Sequence, residues 1–258
     1  MSNPFDINRD FESAICEYTG APYAVAVSSC TAALFLALKW EWEKIRRDTK
    51  RLGFPVPTVT IPKRTYVSVP MQIKAAGFLL GFRDEEWQGA YLLKPFSIWD
   101  SARWFTSNLF NLLPWMEDTP VDKPDKFVCV SFHSTKTLGI KRRRSDEYFE
   151  SWDIEQGGAI LHNSPEADKW FRRARFDGRT EGVAPADDHF DMLGYHAYLN
   201  PSSARLGLHL LRHLPKHNAP LPNDDYPDLS LHPIFGGAAK TIRLGWVREA
   251  FLSLSPPP

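Results

Sequence analysis

The stretch Phe127-Val128-Cys129-Val130-Ser131-Phe132-His133-Ser134-Thr135-Lys136 decides how the fold is read. Phe127 to Phe132 is the clearest β run in the chain, apolar and rich in residues that suit a pleated, buried surface. It ends on polar residues, which places a hydroxyl (Ser131) and an amine (Lys136) five residues apart beyond a strand. Strands and helices alternate outward from it. Upstream, Tyr23–Val27 reads as a strand, Ser28-Ser29-Cys30-Thr31 as a tight turn, and Leu34, Leu38, Trp42 and Ile45 mark a helix capped by a Ser or Thr. Val56–Ile61 and Phe78–Phe82 are further strands, separated by a helix from about Ser68 to Ala76 that Gly77 stops. Tyr91-Leu92-Leu93 and Phe96-Ser97-Ile98-Trp99 both lead towards Asp100, expected at the carboxyl end of a buried strand. Downstream, Gly157–Leu161 is a strand, and helices span Pro165–Arg175 and Pro201–Leu214, the second capped by Asn200 with Pro201 at its first position. This alternation predicts an α/β fold with a mostly parallel or mixed sheet, where polar groups at the carboxyl ends of strands make the site.

Composition sets the outer bounds. With 258 residues, 43% hydrophobic and 24% charged, wholesale disorder is excluded and a sizeable core is affordable. The 31 basic and 31 acidic side chains balance, which argues against nucleic acid held by bulk charge. Every apolar run is interrupted well short of the roughly 20 residues that span a bilayer, so no membrane contact is expected. The amino terminus lacks the basic start and apolar stretch of a signal peptide, and a cytoplasmic location is the expectation. Cys16, Cys30 and Cys129 are too few and scattered for a disulfide framework or a four-ligand zinc site. His209, His213 and His217 share a four-residue spacing, but Pro215 interrupts their helix and no metal is expected. From about residue 215 the prolines predict irregular chain, apart from a short strand at 240–247.

Three strand ends carry complementary groups. Ser29, Cys30 and Thr31 offer hydroxyls and free amides at a helix start, which suits a phosphate. Asp100 supplies a carboxylate, Ser131 a hydroxyl and Lys136 an amine. Phosphate cradle, carboxylate and lysine together are what pyridoxal 5'-phosphate requires: the carboxylate keeps the pyridine nitrogen protonated and the lysine bonds the aldehyde.

The words around these residues resemble those of the DegT/DnrJ/StrS family of pyridoxal-phosphate sugar aminotransferases, a branch of fold type I. Ser29-Cys30-Thr31-Ala32-Ala33-Leu34 is similar to the family's phosphate word, and Pro62-Lys63-Arg64-Thr65-Tyr66 to its Pro-x-x-Thr-aromatic word. Asp100-Ser101-Ala102-Arg103 resembles Asp-x-Ala-Gln/His, and Ser131-Phe132-His133-Ser134-Thr135-Lys136 carries Ser-Phe-x-x-x-Lys intact. Gly157-Gly158 and Gly194-Tyr195-His196-Ala197-Tyr198-Leu199 match two later words. The resemblance implies a three-layer α/β/α large domain over residues 1–214, followed at 215–258 by a Pro-rich remnant of the small carboxyl-terminal domain. It implies that Lys136 forms the Schiff base and later moves a proton, Asp100 partners the pyridine nitrogen, and Tyr66 stacks on the ring. Ser29, Cys30, Thr31 and Ser131 would then surround the phosphate. Tyr198 stands where relatives send Asn or Arg towards the neighbouring subunit's cofactor. The implied activity moves an amino group from an amino acid such as glutamate to a keto sugar carried on a nucleotide, in a homodimer.

Four departures stand out. Only 22 residues separate Gly77 from Asp100, where relatives carry a further strand–helix unit. Arg103 replaces the Gln or His over the cofactor, either to hold a substrate anion or as a packing contact. An insertion loop, 141–156, contains the basic run Lys141-Arg142-Arg143-Arg144 and reads as a solvated loop or a lid. The small domain is reduced or missing. These departures leave a second reading, a shortened non-catalytic relative serving as a binding or regulatory module. Dehydratases of the family replace the lysine with histidine, and Lys136 speaks against that version.

Overall fold

The computed structural model describes residues 5–48, 55–114, 125–146 and 149–236. From the amino terminus, helix α1 (Asp6–Thr19) leads into strand β1 (Tyr23–Val27) and helix α2 (Cys30–Asp48). Strand β2 (Thr58–Pro62), helix α3 (Ser68–Ala76) and strand β3 (Leu79–Arg83) follow, then strands β4 (Tyr91–Leu93) and β5 (Ile98–Asp100). The short helix α4 (Leu109–Leu112) precedes strands β6 (Phe127–Ser131), β7 (Lys141–Asp146), β8 (Phe149–Ile154) and β9 (Gly158–His162). Helices α5 (Pro165–Ala174) and α6 (Pro201–Arg212) close the series, and two single-turn 3-10 helices lie at Leu229–Leu231 and Pro233–Phe235.

The central sheet has the order β1-β9-β6-β5-β4. β5 and β6 run parallel, while β9 is antiparallel to both of its neighbours, so β1, β5 and β6 all point the same way. Strand alternation sorts side chains between two cores. Val25, Val27, Phe127, Cys129 and Ile160 meet α2, α3 and α5 on one face. Ala24, Ala26, Val128, Val130 and Leu161 meet α1, α4 and α6 on the other. Helices on both faces give the three-layer α/β/α sandwich that the motifs implied. α3 takes its expected span and ends on Gly77, whose φ of 103° only glycine adopts without strain. α5 and α6 begin as expected, Ser164 and Asn200 accepting the capping hydrogen bonds.

Three features differ from the sequence reading or were absent from it. β4 does not run alongside β5 towards a shared end; it is antiparallel, with Tyr91 opposite Asp100. The cause is the short interval before Asp100, which leaves no room for a crossover and turns the chain straight back. The 141–156 insertion takes the form of an antiparallel hairpin, β7 on β8, because pairing supplies the backbone partners that a basic run lacks by itself. Helix α1, unanticipated, packs Phe11 and Ile15 beneath the sheet and stops at Gly20. Residues 215–236 are irregular, as the prolines predicted; the strand expected at 240–247 lies outside the described residues.

β1 is an edge strand, and its outward groups need partners. Glu12 accepts a hydrogen bond from the Ala26 amide (2.9 Å), while Arg175 donates to the Ala26 carbonyl and pairs with Glu12. Arg172 also pairs with Glu12 (2.7 Å), and Arg175 reaches Glu181 (2.8 Å). Burial alone would raise the Glu12 carboxyl, but the two guanidinium groups hold it below the usual carboxylate range. A network of ions therefore seals the edge next to the β1–α2 turn.

Candidate active site

The carboxyl ends of β1, β5 and β6 open on one cavity of about 320 Å³. Ser29, Cys30, Thr31, Asp100, Ser131 and Lys136 all line it, as do Tyr66 and Arg103. Residues predicted from words scattered over more than 100 positions are thus brought together. Tyr198 is not among the lining residues; its ring packs against Phe5 and Phe176, and its backbone bridges to Val27.

At one end of the cavity Ser29 caps α2, its Oγ accepting from the Ala32 amide (3.1 Å). Thr31 Oγ1 lies 3.0 Å from Ser68 Oγ at the start of α3, so two helix amino termini face the same space. Gly158 makes this approach possible. A Cβ there would lie 2.5 Å from the Cys30 nitrogen and 2.7 Å from the Val130 carbonyl, so any side chain would push α2 off the sheet. Ser131, paired with Gly158 in the sheet, adds its hydroxyl.

Asp100 sits deeper. Its Oδ2 accepts from the Tyr91 hydroxyl (2.7 Å) and its Oδ1 from the Ala102 amide (3.0 Å). Burial raises its pKa, opposed by those two donors and by Lys136. The Lys136 ammonium is shifted the other way, down, chiefly by burial and then by the nearby Arg103 cation. A lysine so shifted offers an unprotonated, nucleophilic amine closer to neutral pH. The Cys30 and Cys129 thiols are pushed well up by burial and by Asp100, which keeps both neutral.

The outer wall comes from the irregular tail. Arg103 donates to Asp224 (2.6 Å), to the Tyr226 hydroxyl (3.4 Å) and to the Pro222 carbonyl. Asp224 and Tyr226 line the cavity, and Tyr226 stacks on Trp87, 6.3 Å between ring centroids. Of the two uses foreseen for Arg103, the structure realises a contact within the chain: its guanidinium is engaged by the tail. Asp224, Tyr226 and Tyr91 were not anticipated. The Pro-rich tail carries no motif that would have singled out the first two. Tyr91 could be found only from the strand register.

A mixed sheet with helices on both faces is the fold of solved pyridoxal-phosphate-dependent aminotransferases. The chain covers 58% of PseC, a Helicobacter pylori aminotransferase involved in pseudoaminic acid biosynthesis, using 81% of its own length at 16% identity and a TM-score of 0.53. Against the sugar aminotransferase CalS13 from Micromonospora echinospora, the figures are 60% and 81% at 17% identity, with a TM-score of 0.54. The dehydratase ColD, a GDP-4-keto-6-deoxymannose-3-dehydratase, is similar to the same degree: 14% identity, 81% of this chain, 61% of that one and a TM-score of 0.53. Residues 2–82 match the DegT/DnrJ/EryC1/StrS aminotransferase family, and with the fold this bears out the resemblance carried by the motifs. No curated protein matches the sequence. The chain spans about 60% of the length of the solved structures it resembles. Among the described residues no helix is long and apolar enough to cross a membrane.

Proposed function

We propose that this chain is a pyridoxal-phosphate-dependent aminotransferase acting on a keto sugar. The observation that carries the reading is the joint opening of Lys136, Asp100 and the Ser29–Thr31 helix start on one cavity. The donor set suits the cofactor at each point. Hydroxyls and helix amides suit a phosphate dianion, a buried carboxylate suits a protonated pyridine, and an amine of lowered pKa suits an aldehyde. When bound, the cofactor supplies an aldehyde that condenses with amines and a ring that accepts electrons. Lys136 would hold it, be displaced by the incoming amine, and then carry a proton between two carbons as general base. Asp100 would keep the ring nitrogen protonated, and Tyr66, which lines the cavity and is more than half exposed, would cover the ring. Ser29, Cys30, Thr31 and Ser131 would hold the phosphate. Residues 1–214 are read as the cofactor-binding domain and 215–258 as the remainder, with the 222–226 segment closing its wall. Glutamate as donor, a nucleotide-linked acceptor and a homodimer complete the proposal on the strength of the motifs.

The test is reconstitution. Purified chain mixed with pyridoxal phosphate should develop the near-visible absorbance of a lysine-linked cofactor, and glutamate should discharge it to the amine form. Lys136→Ala should lose that band and keep its circular dichroism. A wild-type chain that never develops the band would sink the reading and favour the non-catalytic alternative. The ColD likeness keeps elimination as a second outcome for a sugar-nucleotide panel, read by product analysis.

A further inference from the structure

Tyr91 is buried, 3% exposed, and does not line the cavity, yet its hydroxyl points at a residue that does. The antiparallel register of β4 on β5 sets it opposite Asp100, with its oxygen 2.7 Å from Asp100 Oδ2. A phenol has one proton, and here it is donated to the carboxylate. Thr65 Oγ1, 2.6 Å from the same phenol oxygen, must then be the donor to it. The Ala102 amide serves the other oxygen, Oδ1. Oδ1 thus takes the Ala102 amide and, more weakly, the Cys30 thiol, whereas Oδ2 has the Tyr91 hydroxyl as its donor and keeps a lone pair for a further partner. The other groups facing Asp100 are Cys30 Sγ at 4.0 Å from α2, Cys129 beside it on β6, and Lys136 beyond β6. Both thiols are neutral, so Lys136 is the one cation among them.

We propose that Tyr91, backed by Thr65, is a positioning residue that fixes Asp100 as an oriented carboxylate towards a protonated ring nitrogen in the cavity. This rests on the cofactor reading above. Without the Tyr91 proton, Asp100 keeps the Ala102 amide and the weak Cys30 thiol, both on Oδ1, and Oδ2 has no donor in a desolvated place, where the neutral acid gains and the charge required by a pyridinium is lost. Thr65 belongs to the same word as Tyr66, which joins the ring-covering residue and the relay on one turn of chain.

The experiment titrates the full chain with pyridoxal phosphate and with its deaza analogue, in which a C–H replaces the ring nitrogen. Tyr91→Phe should weaken pyridoxal phosphate by about ten- to hundredfold, the range for a hydrogen bond to a charged group, and leave the deaza analogue's affinity unchanged. Thr65→Val should show the same selectivity with a smaller loss. Thermal midpoints accompany each titration; if Tyr91→Phe does not fold, Thr65→Val carries the comparison alone. Equal losses for both ligands, or no loss for either, would overturn the proposal while a wild type with a lysine-linked band keeps the cofactor reading. A wild type that shows no such band overturns that reading instead, and the relay loses its object.

Discussion

At one end of the cavity, Ser29 and Thr31 stand at the start of α2 and Ser131 at the end of β6, with Gly158 bringing α2 against the sheet almost atom to atom. At the other end, Arg103 is held by Asp224, Tyr226 and the Pro222 carbonyl, all on a segment without strand or longer helix. The first end is over-determined by packing and buried ions. The second hangs on a few polar contacts, and Asp224 is largely exposed. A site built this way has one end fixed by the sheet and one wall held mainly by polar contacts, where local opening costs less.

The contrast can be broken most forcefully at the sealed edge. Arg175→Met should destabilise the chain by about 3–5 kcal/mol, since it leaves Glu12 buried with its main partner gone. Chemical denaturation midpoints measure this, and a loss below 1 kcal/mol would show the network to be ornamental. Gly158→Ala should cost about 1–3 kcal/mol by overpacking backbone against backbone, and should also weaken inorganic phosphate or pyridoxal phosphate binding. At the other end, Arg103→Gln should change stability by less than Arg175→Met, about 1–2 kcal/mol, because Arg103 is buried but its partner Asp224 is largely exposed. It should nonetheless speed cutting by an Asp-specific endoproteinase at Asn223–Asp224. Equal destabilisation by the Arg103 and Arg175 substitutions would erase the distinction between the two ends.

The smallest effect is in pH. The folded Glu12 carboxyl titrates below its unfolded value of about 4.5, so its contribution is fully present above that value. It is lost as pH falls through the lower folded value. Wild-type stability should therefore decline below about pH 4.5, and Glu12→Gln should flatten that part of the profile.

The two ends also differ in how far they could be read from residues alone. Ser29, Asp100, Ser131 and Lys136 lie next to their strands in sequence, so a local pattern locates them at strand ends and the parallel arrangement gathers them. Tyr91 was invisible because its role depends on which strand it pairs with, and antiparallel return reverses what a local reading assumes. Asp224 and Tyr226 meet Arg103 across some 120 residues of chain, through a segment whose prolines indicate only what it cannot be. The 141–156 hairpin was hidden by its charge, since a basic run carries no alternation to signal a strand. Helix α1 was the avoidable omission: Ile7, Phe11 and Ile15 recur at helical spacing before Gly20.

The ions that close the β1 edge have a consequence for the order in which the chain is made. Ala26 finds its side-chain partners in Glu12 and Arg175, and its sheet neighbour β9 comes only at Gly158–His162. During synthesis, residues 2–82, the part that matches the family, emerge with β1 lacking its sheet neighbour and Glu12 lacking Arg172 and Arg175. They must wait on the ribosome for nearly 100 further residues before the strand can be enclosed. The segment that matches the family therefore reaches its sheet partner and its buried counter-ions only through the later half of the chain, and until then the bare strand is open to premature pairing.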